Sequence, residues 1–207
     1  VAANKKAMQN ANLLARLFDE LFGEDPMGSP MSARGESLYP FQRIWIHEGD
    51  LKTLTVDAIV NSADPSLLGG PGLDGELHRA AGAGLLAECR ALGKCAVGEA
   101  KITKGHSLPV KHVIHTVGPT WRGGLLSERR KLEACYANSL ALAANANLRT
   151  VAFPSISTGT KHFPLDEAAF IAAKTTLEFF ARRTSVELVI FCTFSPAHTR
   201  AAREGLA

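Results

Sequence analysis

From residue 41 onward the apolar positions change period repeatedly, and each change marks an element. Phe41-Gln42-Arg43-Ile44-Trp45-Ile46 mixes apolar and polar positions as a half-buried strand does, and Ala58-Ile59-Val60 reads as a short buried strand. Residues 75–92 are helical in composition, broken near Gly82 and Gly84. Residues 100–103 and 112–117 read as strands, and 128–147 as a long alanine-rich helix. A strand at 150–154 runs into a loop, then come a helix over 165–182, a near-continuous apolar strand over 186–194 and a last helix over 196–204. Strands alternating with helices imply a central sheet, largely parallel and covered on both faces. Ligands of such sheets bind in the loops at the carboxyl ends of the strands.

Ahead of this pattern, residues 10–22 predict a short amphipathic helix with Leu13, Leu14, Leu17, Phe18 and Leu21 on one face. It is expected to dock on the domain, since an isolated helix of this length is marginal. Gly23 to Pro40, with Pro26, Gly28, Pro30 and Gly35, reads as a linker or irregular wrap. The expected division is therefore an extension over 1–40 and one domain over 41–207.

Composition narrows the partners. Of the 207 residues 46% are hydrophobic and 21% charged, the balance of a globular protein with a real core. A net charge of +3 is too weak for nucleic-acid binding through bulk charge, yet suits a local site for one small anion. Cys89, Cys95, Cys135 and Cys192 form no Cys-x-x-Cys pair and have no histidine at zinc-ligand spacing, so buried thiols and no metal are expected. No apolar run approaches 18 residues and no apolar signal core follows Lys5 and Lys6, which makes a cytoplasmic monomer the expectation. A secreted bacterial effector would present the same pattern.

Two strand-to-helix loops carry candidate chemistry. Val60 leads through Asn61-Ser62-Ala63-Asp64 into Gly69-Gly70-Pro71-Gly72-Leu73-Asp74-Gly75. Three glycines in four residues before a helix let backbone N–H groups face an anion. The ending of a Walker A loop and the dinucleotide fingerprint are both missing. Asp74 and His78, four apart, share a helix face. The bland alternatives are a helix cap for Asp74 and a half-buried packing role for His78. The second loop, Pro154-Ser155-Ile156-Ser157-Thr158-Gly159-Thr160-Lys161-His162-Phe163-Pro164, offers hydroxyls and N–H groups in a tight turn. Its alternative reading is an ordinary connection into the next helix. Two donor-rich loops without a dense Lys/Arg cluster suggest a ligand with more than one phosphate, held largely by backbone.

These segments resemble, in order, the macrodomain family and its MacroD-type ADP-ribosyl hydrolases. The likeness is carried by Gly49-Asp50-Leu51 with Val56 to Asn61, by Leu67 to Gly75 with His78-Arg79-Ala80-Ala81-Gly82, and by Gly98-Glu99-Ala100. His112 to Pro119 and Pro154 to Gly159 continue it. The resemblance implies a three-layer α/β/α fold with a mixed, largely parallel sheet. It implies adenine recognition by the Asp50 carboxylate and the Leu51 N–H. Asn61, Gly70, Gly72 and Leu73 would surround the distal ribose and a phosphate. Ser157, Thr158, Gly159 and Thr160 would cradle the diphosphate, with Lys161 and Phe163 beside it. Asp74, His78 and Asp64 would form the catalytic set.

Two departures stand out. The family's Asn-Ala-Ala-Asn is Asn61-Ser62-Ala63-Asp64 here, and an ionised Asp64 accepts hydrogen bonds but cannot donate. Lys161 stands where an aromatic commonly follows the turn; Phe163 would supply part of that ring, and Lys161 would offset the charge of Asp64. The implied activity is hydrolysis of the ester between ADP-ribose and an acidic protein side chain, or of O-acetyl-ADP-ribose, with ADP-ribosylated proteins as partners and no cofactor. A non-catalytic ADP-ribose reader and an unrelated phosphoesterase remain the alternatives.

Overall fold

The computed structural model describes residues 43–206; the expected helix at 10–22 and its linker lie outside them. Six strands form one sheet: β1 (Ile44–Glu48), β2 (Ala58–Ser62), β3 (Ala100–Lys104), β4 (His112–Thr116), β5 (Thr150–Phe153) and β6 (Leu188–Thr193). Their spatial order is β1-β6-β5-β2-β4-β3. All neighbours run parallel except β3, which pairs antiparallel with β4. The fold is thus a three-layer sandwich with the largely parallel sheet that the alternation implied and the mixed pairing that the resemblance implied.

The apolar runs of the strands are explained by burial on both faces. Along each strand successive side chains point to opposite faces. Val60, Ile114, Val151 and Val189 enter one core; their neighbours Ile59, Val113, Ala152 and Ile190 enter the other. The first core is closed by α3 (Glu128–Asn145), through Leu132, Tyr136 and Leu140, and by α4 (Leu165–Phe180), through Ile171 and Leu177. The second is closed by α1 (Leu73–Ala81) and α2 (Ala83–Leu92), through Leu77, Leu85 and Cys89. Each such side chain, fully buried, contributes about 1.5–3 kcal/mol. The last helix, α5 (Pro196–Leu206), lies against α4 so closely that a Cβ on Gly205 would come within 2.9 Å of the Ala169 backbone.

Several expected boundaries shift. The helix expected over 75–92 is two helices, because Gly82 at φ 81° ends α1 and opens α2. Strand β1 spans Ile44–Glu48, two residues beyond the expected end at Ile46, as far as its pairing with β6 runs; Phe41 and Gln42 lie outside the described residues. No described helix is long and apolar enough to cross a membrane.

Candidate functional site

Sheet order brings the two glycine- and hydroxyl-rich loops together. β2 and β5 are adjacent and parallel, so the loops leaving their carboxyl ends are neighbours. The end of β4 stands beside them: Ala63 donates its N–H to Thr116 O (2.9 Å), and the Lys161 ammonium donates to Gly118 O (2.7 Å).

In the first loop Gly72 caps α1 at φ 69° and ψ −139°, a left-handed conformation that disfavours any side chain although open space surrounds its Cβ position. No side chain caps this helix start, so the first-turn N–H groups stay available to a ligand. Gly70 is needed for a different reason: a Cβ there would meet Asp74 Oδ2 at 3.1 Å and Asp64 Cβ at 3.2 Å.

Asp74 is not the helix cap; it lies in the first turn of α1 and is 2% exposed. Its carboxylate ties the helix to β2. Oδ1 accepts from Asn61 Nδ2 (2.6 Å) and Oδ2 accepts from the Asp64 N–H (3.0 Å). His78 stands one turn on, its Nε2 3.7 Å from Asp74 Oδ1, and both of its buried ring nitrogens lack a hydrogen-bond partner. Behind Asn61, on β4, His115 is wholly buried; burial first, and then its neighbour His78, push its pKa down to about 3.

Asp64 Oδ1 accepts from both the N–H (2.9 Å) and the hydroxyl (2.7 Å) of Ser66, fixing a turn and lowering the Asp64 pKa. The positive charge of Lys161 lowers it further, while burial lowers the pKa of Lys161 itself. The two are coupled electrostatically without a close ion pair among the described residues.

The second loop is tight and strained. Ser157 sits at φ 66°, left-handed and uncommon for a residue with a side chain. Its hydroxyl is buried and unpaired, and it packs where a Cβ on Gly118 would have to go, only 2.1 Å away. The loop's own bonds are Thr158 N–H to Ser155 O, His162 N–H to Gly159 O and Phe163 N–H to Ser157 O. The N–H groups of Ser157, Gly159 and Thr160 are left without a protein acceptor among the described residues.

A third piece lies at the ends of β1 and β6. Asp50 Oδ1 caps the 3-10 turn Leu51–Thr53 by accepting the Lys52 N–H (2.9 Å), and Oδ2 pairs with the Lys52 ammonium (3.2 Å). Gly49 donates its N–H to Thr193 O (2.8 Å), and Phe194 follows Thr193 in the chain. That phenyl ring is 70% exposed and packs at 4.1 Å on the ring of His198. His198 lies 3.2 Å from the Thr158 hydroxyl and lines, with Pro154, Ser155 and Thr193, a small recess floored by Tyr136, Phe153 and Phe191.

Of the residues singled out by sequence, the structure clusters Asn61, Asp64, Gly70, Asp74 and His78. The second loop meets the end of β4 at Gly118, and the charge of Lys161 couples it to Asp64 and Asp74. Asp50 and Leu51 stand at the other end of the sheet's carboxyl edge, beyond β5 and β6. Phe163 and Asn61 both face inward. Phe163 is 2% exposed and packs on Trp121 (centroids 4.7 Å apart), so its ring is core and no substitute for a ligand-facing aromatic. Asn61 is wholly buried, and its side chain meets Asp74 rather than the open cleft. Sequence reasoning missed His115, Phe194, His198 and Gly118. The one available signal was a histidine inside the apolar run His112 to Val117.

All four cysteines are free and buried. Cys89, with His78 and His115, forms a group whose donor atoms lie within 4.8 Å of one another, a proximity that sequence spacing did not reveal. His115 Nε2 is taken by the Thr103 hydroxyl at 3.0 Å, so this group offers only two free donors, fewer than zinc sites use.

Comparison with known proteins is consistent across methods. The Macro domain family profile matches residues 60–172. A macro domain-containing protein of Chlorobaculum tepidum is 54% identical over 160 residues, 77% of this chain and 93% of that protein. The human ADP-ribose glycohydrolase MACROD2 is 52% identical over 155 residues, 74% of this chain but 36% of that longer protein. Among solved structures, the Trypanosoma brucei macrodomain in complex with ADP-ribose superposes with a TM-score of 0.76 at 32% identity, covering 92% of this chain and 83% of that one.

Proposed function

The chain belongs to the macro domain family, and from that premise we propose that it binds ADP-ribose and hydrolyses the ester joining it to an acidic side chain. The observation that carries this reading is the pair of adjacent loops, each with N–H groups that lack a protein acceptor among the described residues, one of them holding a buried carboxylate. Two phosphates would accept from the start of α1 and from the Ser157–Thr160 turn. Adenine would lie at the far end, on the exposed Phe194 ring, with Asp50 accepting from its amino group. The distal ribose would then reach the Gly70–Asp74 segment.

In the chemical step a water oxygen bonds to the anomeric carbon, the bond from that carbon to the ester oxygen breaks, and the side-chain carboxylate departs. The water's proton leaves to the ligand phosphate or to solvent. Asp74 orients the water through its remaining lone pairs, help worth roughly two to four powers of ten in rate. Attack at the acyl carbon would serve O-acetyl-ADP-ribose. The relatives named as ADP-ribose glycohydrolases support the reading.

One observation favours a second reading, a non-catalytic reader. Asp64 replaces the family's asparagine, cannot donate, and commits one oxygen to Ser66. One experiment decides between them: incubate the protein with a substrate mono-ADP-ribosylated on glutamate and measure free ADP-ribose. Release supports the hydrolase; micromolar binding of ADP-ribose, about 8 kcal/mol, without release supports the reader. Equal affinity for AMP and ADP-ribose would sink both, since AMP lacks the second phosphate and the distal ribose.

A further inference from the structure

Resting on the hydrolase reading, we infer that His115 is a positioning residue, one that fixes the Asn61 amide so that it donates to Asp74. The argument is one of hydrogen-bond polarity along a buried chain. At one end, the Thr103 hydroxyl lies 3.3 Å from Val113 O and 3.0 Å from His115 Nε2. The hydroxyl has one proton; given to Val113 O, which only accepts, it leaves the hydroxyl oxygen to accept from His115. That polarity matches the Nε2–H form of the ring. Nδ1 then carries a lone pair, and it faces Asn61 Nδ2 at 3.2 Å.

At the other end stands the Asp74 carboxylate, which also only accepts, 2.6 Å from the same nitrogen. The carboxylate demands that Asn61 present its NH2 group, one hydrogen to each partner, and the Thr103 end accommodates that polarity. The reverse polarity would set an N–H of His115 against the Asn61 donor. The cost of the arrangement is visible: Asn61 Oδ1 is buried and has no partner. Burial also keeps the ring neutral through the working pH range, so the polarity never inverts. Nor does Cys89, 3.7 Å from Nε2, compete for that proton, because burial raises its thiol to about 11. Without His115 the amide is free to turn, and Asp74 loses the bond that holds its carboxylate toward the cleft.

Isosteres test this. In His115→Asn the new Oδ1 occupies the Nδ1 position and keeps an acceptor for Asn61; in His115→Gln the new amide mimics Nε2–H instead and removes that acceptor. Turnover of the glutamate-linked substrate should stay within about threefold of the parent for Asn and fall roughly ten- to hundredfold for Gln, the loss expected for a hydrogen bond to a charged group. The affinity for ADP-ribose should hold in both. A residue that merely fills space predicts the opposite order, since Gln is closer to histidine in volume, and that order would overturn the proposal. A second measurement stands apart from hydrolysis and from any folding failure of the variants. Nitrogen-15 spectra of the parent's histidines should show His115 as the Nε2–H form from about pH 5 to 9; the Nδ1–H form would refute the chain of donors. If the parent itself lacks turnover, the hydrolase reading fails, and the tautomer alone then decides the buried network.

Discussion

Replacing Asp74 with alanine separates a catalytic carboxylate from a structural one, and the structure sets the magnitudes. A helix-capping aspartate would cost about 1 kcal/mol on removal. Asp74 is instead 2% exposed and accepts from Asn61 Nδ2 and the Asp64 N–H. Hydrogen bonds to a charged group are worth about 1.5–3 kcal/mol each. Asp74→Ala strands both donors in a nearly closed space, so the loss should be about 3 kcal/mol. For a domain of this size each kcal/mol lowers the melting temperature by about 2–4 °C, giving a fall of about 6–12 °C by calorimetry. Turnover on the glutamate-linked substrate, measured well below the new Tm, should drop at least about a hundredfold. The Kd for ADP-ribose should change little, the signature of an interaction made mainly in the transition state. A variant that melts within about 1 °C of the parent would refute the tie between α1 and β2. One that destabilises as expected but keeps its turnover would leave Asp74 a structural residue only.

Three further outcomes are expected. Asp64→Asn keeps an acceptor for Ser66 and so the turn; it removes a negative charge beside the proposed phosphates and should tighten ADP-ribose binding severalfold by calorimetry, whereas unchanged or weaker binding would mean that Asp64 is not near them. Gly118→Ala drives a Cβ into the Ser157 hydroxyl and Ile156, at 2.1 and 2.8 Å, and should cost about 1–3 kcal/mol. It should also weaken ADP-ribose at least tenfold, and affinity retained with a lowered Tm would detach this loop from the binding site. His115 titrates at about 3 in the folded state against about 6.5 unfolded, so the folded state binds fewer protons below neutrality. Its contribution is fully present above about pH 6.5 and declines as pH falls toward 3, about 2 kcal/mol between pH 7 and 5. Urea titrations at the two pH values should show a loss smaller by about that amount in His115→Asn.

The period of apolar residues was sufficient for the order and type of the elements from β1 to α5, because strands buried on both faces and amphipathic helices each leave a local imprint. The two loops were legible for the same reason: glycine at 70 and 72, and small hydroxyl residues at 155, 157 and 158, answer to local backbone geometry. The break at Gly82 was visible too, though not that two separate helices would result. What no local pattern encodes is which loops become neighbours. That follows from the strand order, where β5 and β2 pair although about ninety residues separate them. The same packing puts Phe163 into the core against Trp121, turns Asn61 inward onto Asp74, and sets His115, 54 residues from Asn61, behind it. An isolated histidine in an apolar strand carries no sign of its partners. Its protonation, its tautomer and its reach toward Asp74 exist only once burial excludes water and the sheet brings Thr103 and Asn61 to its two nitrogens.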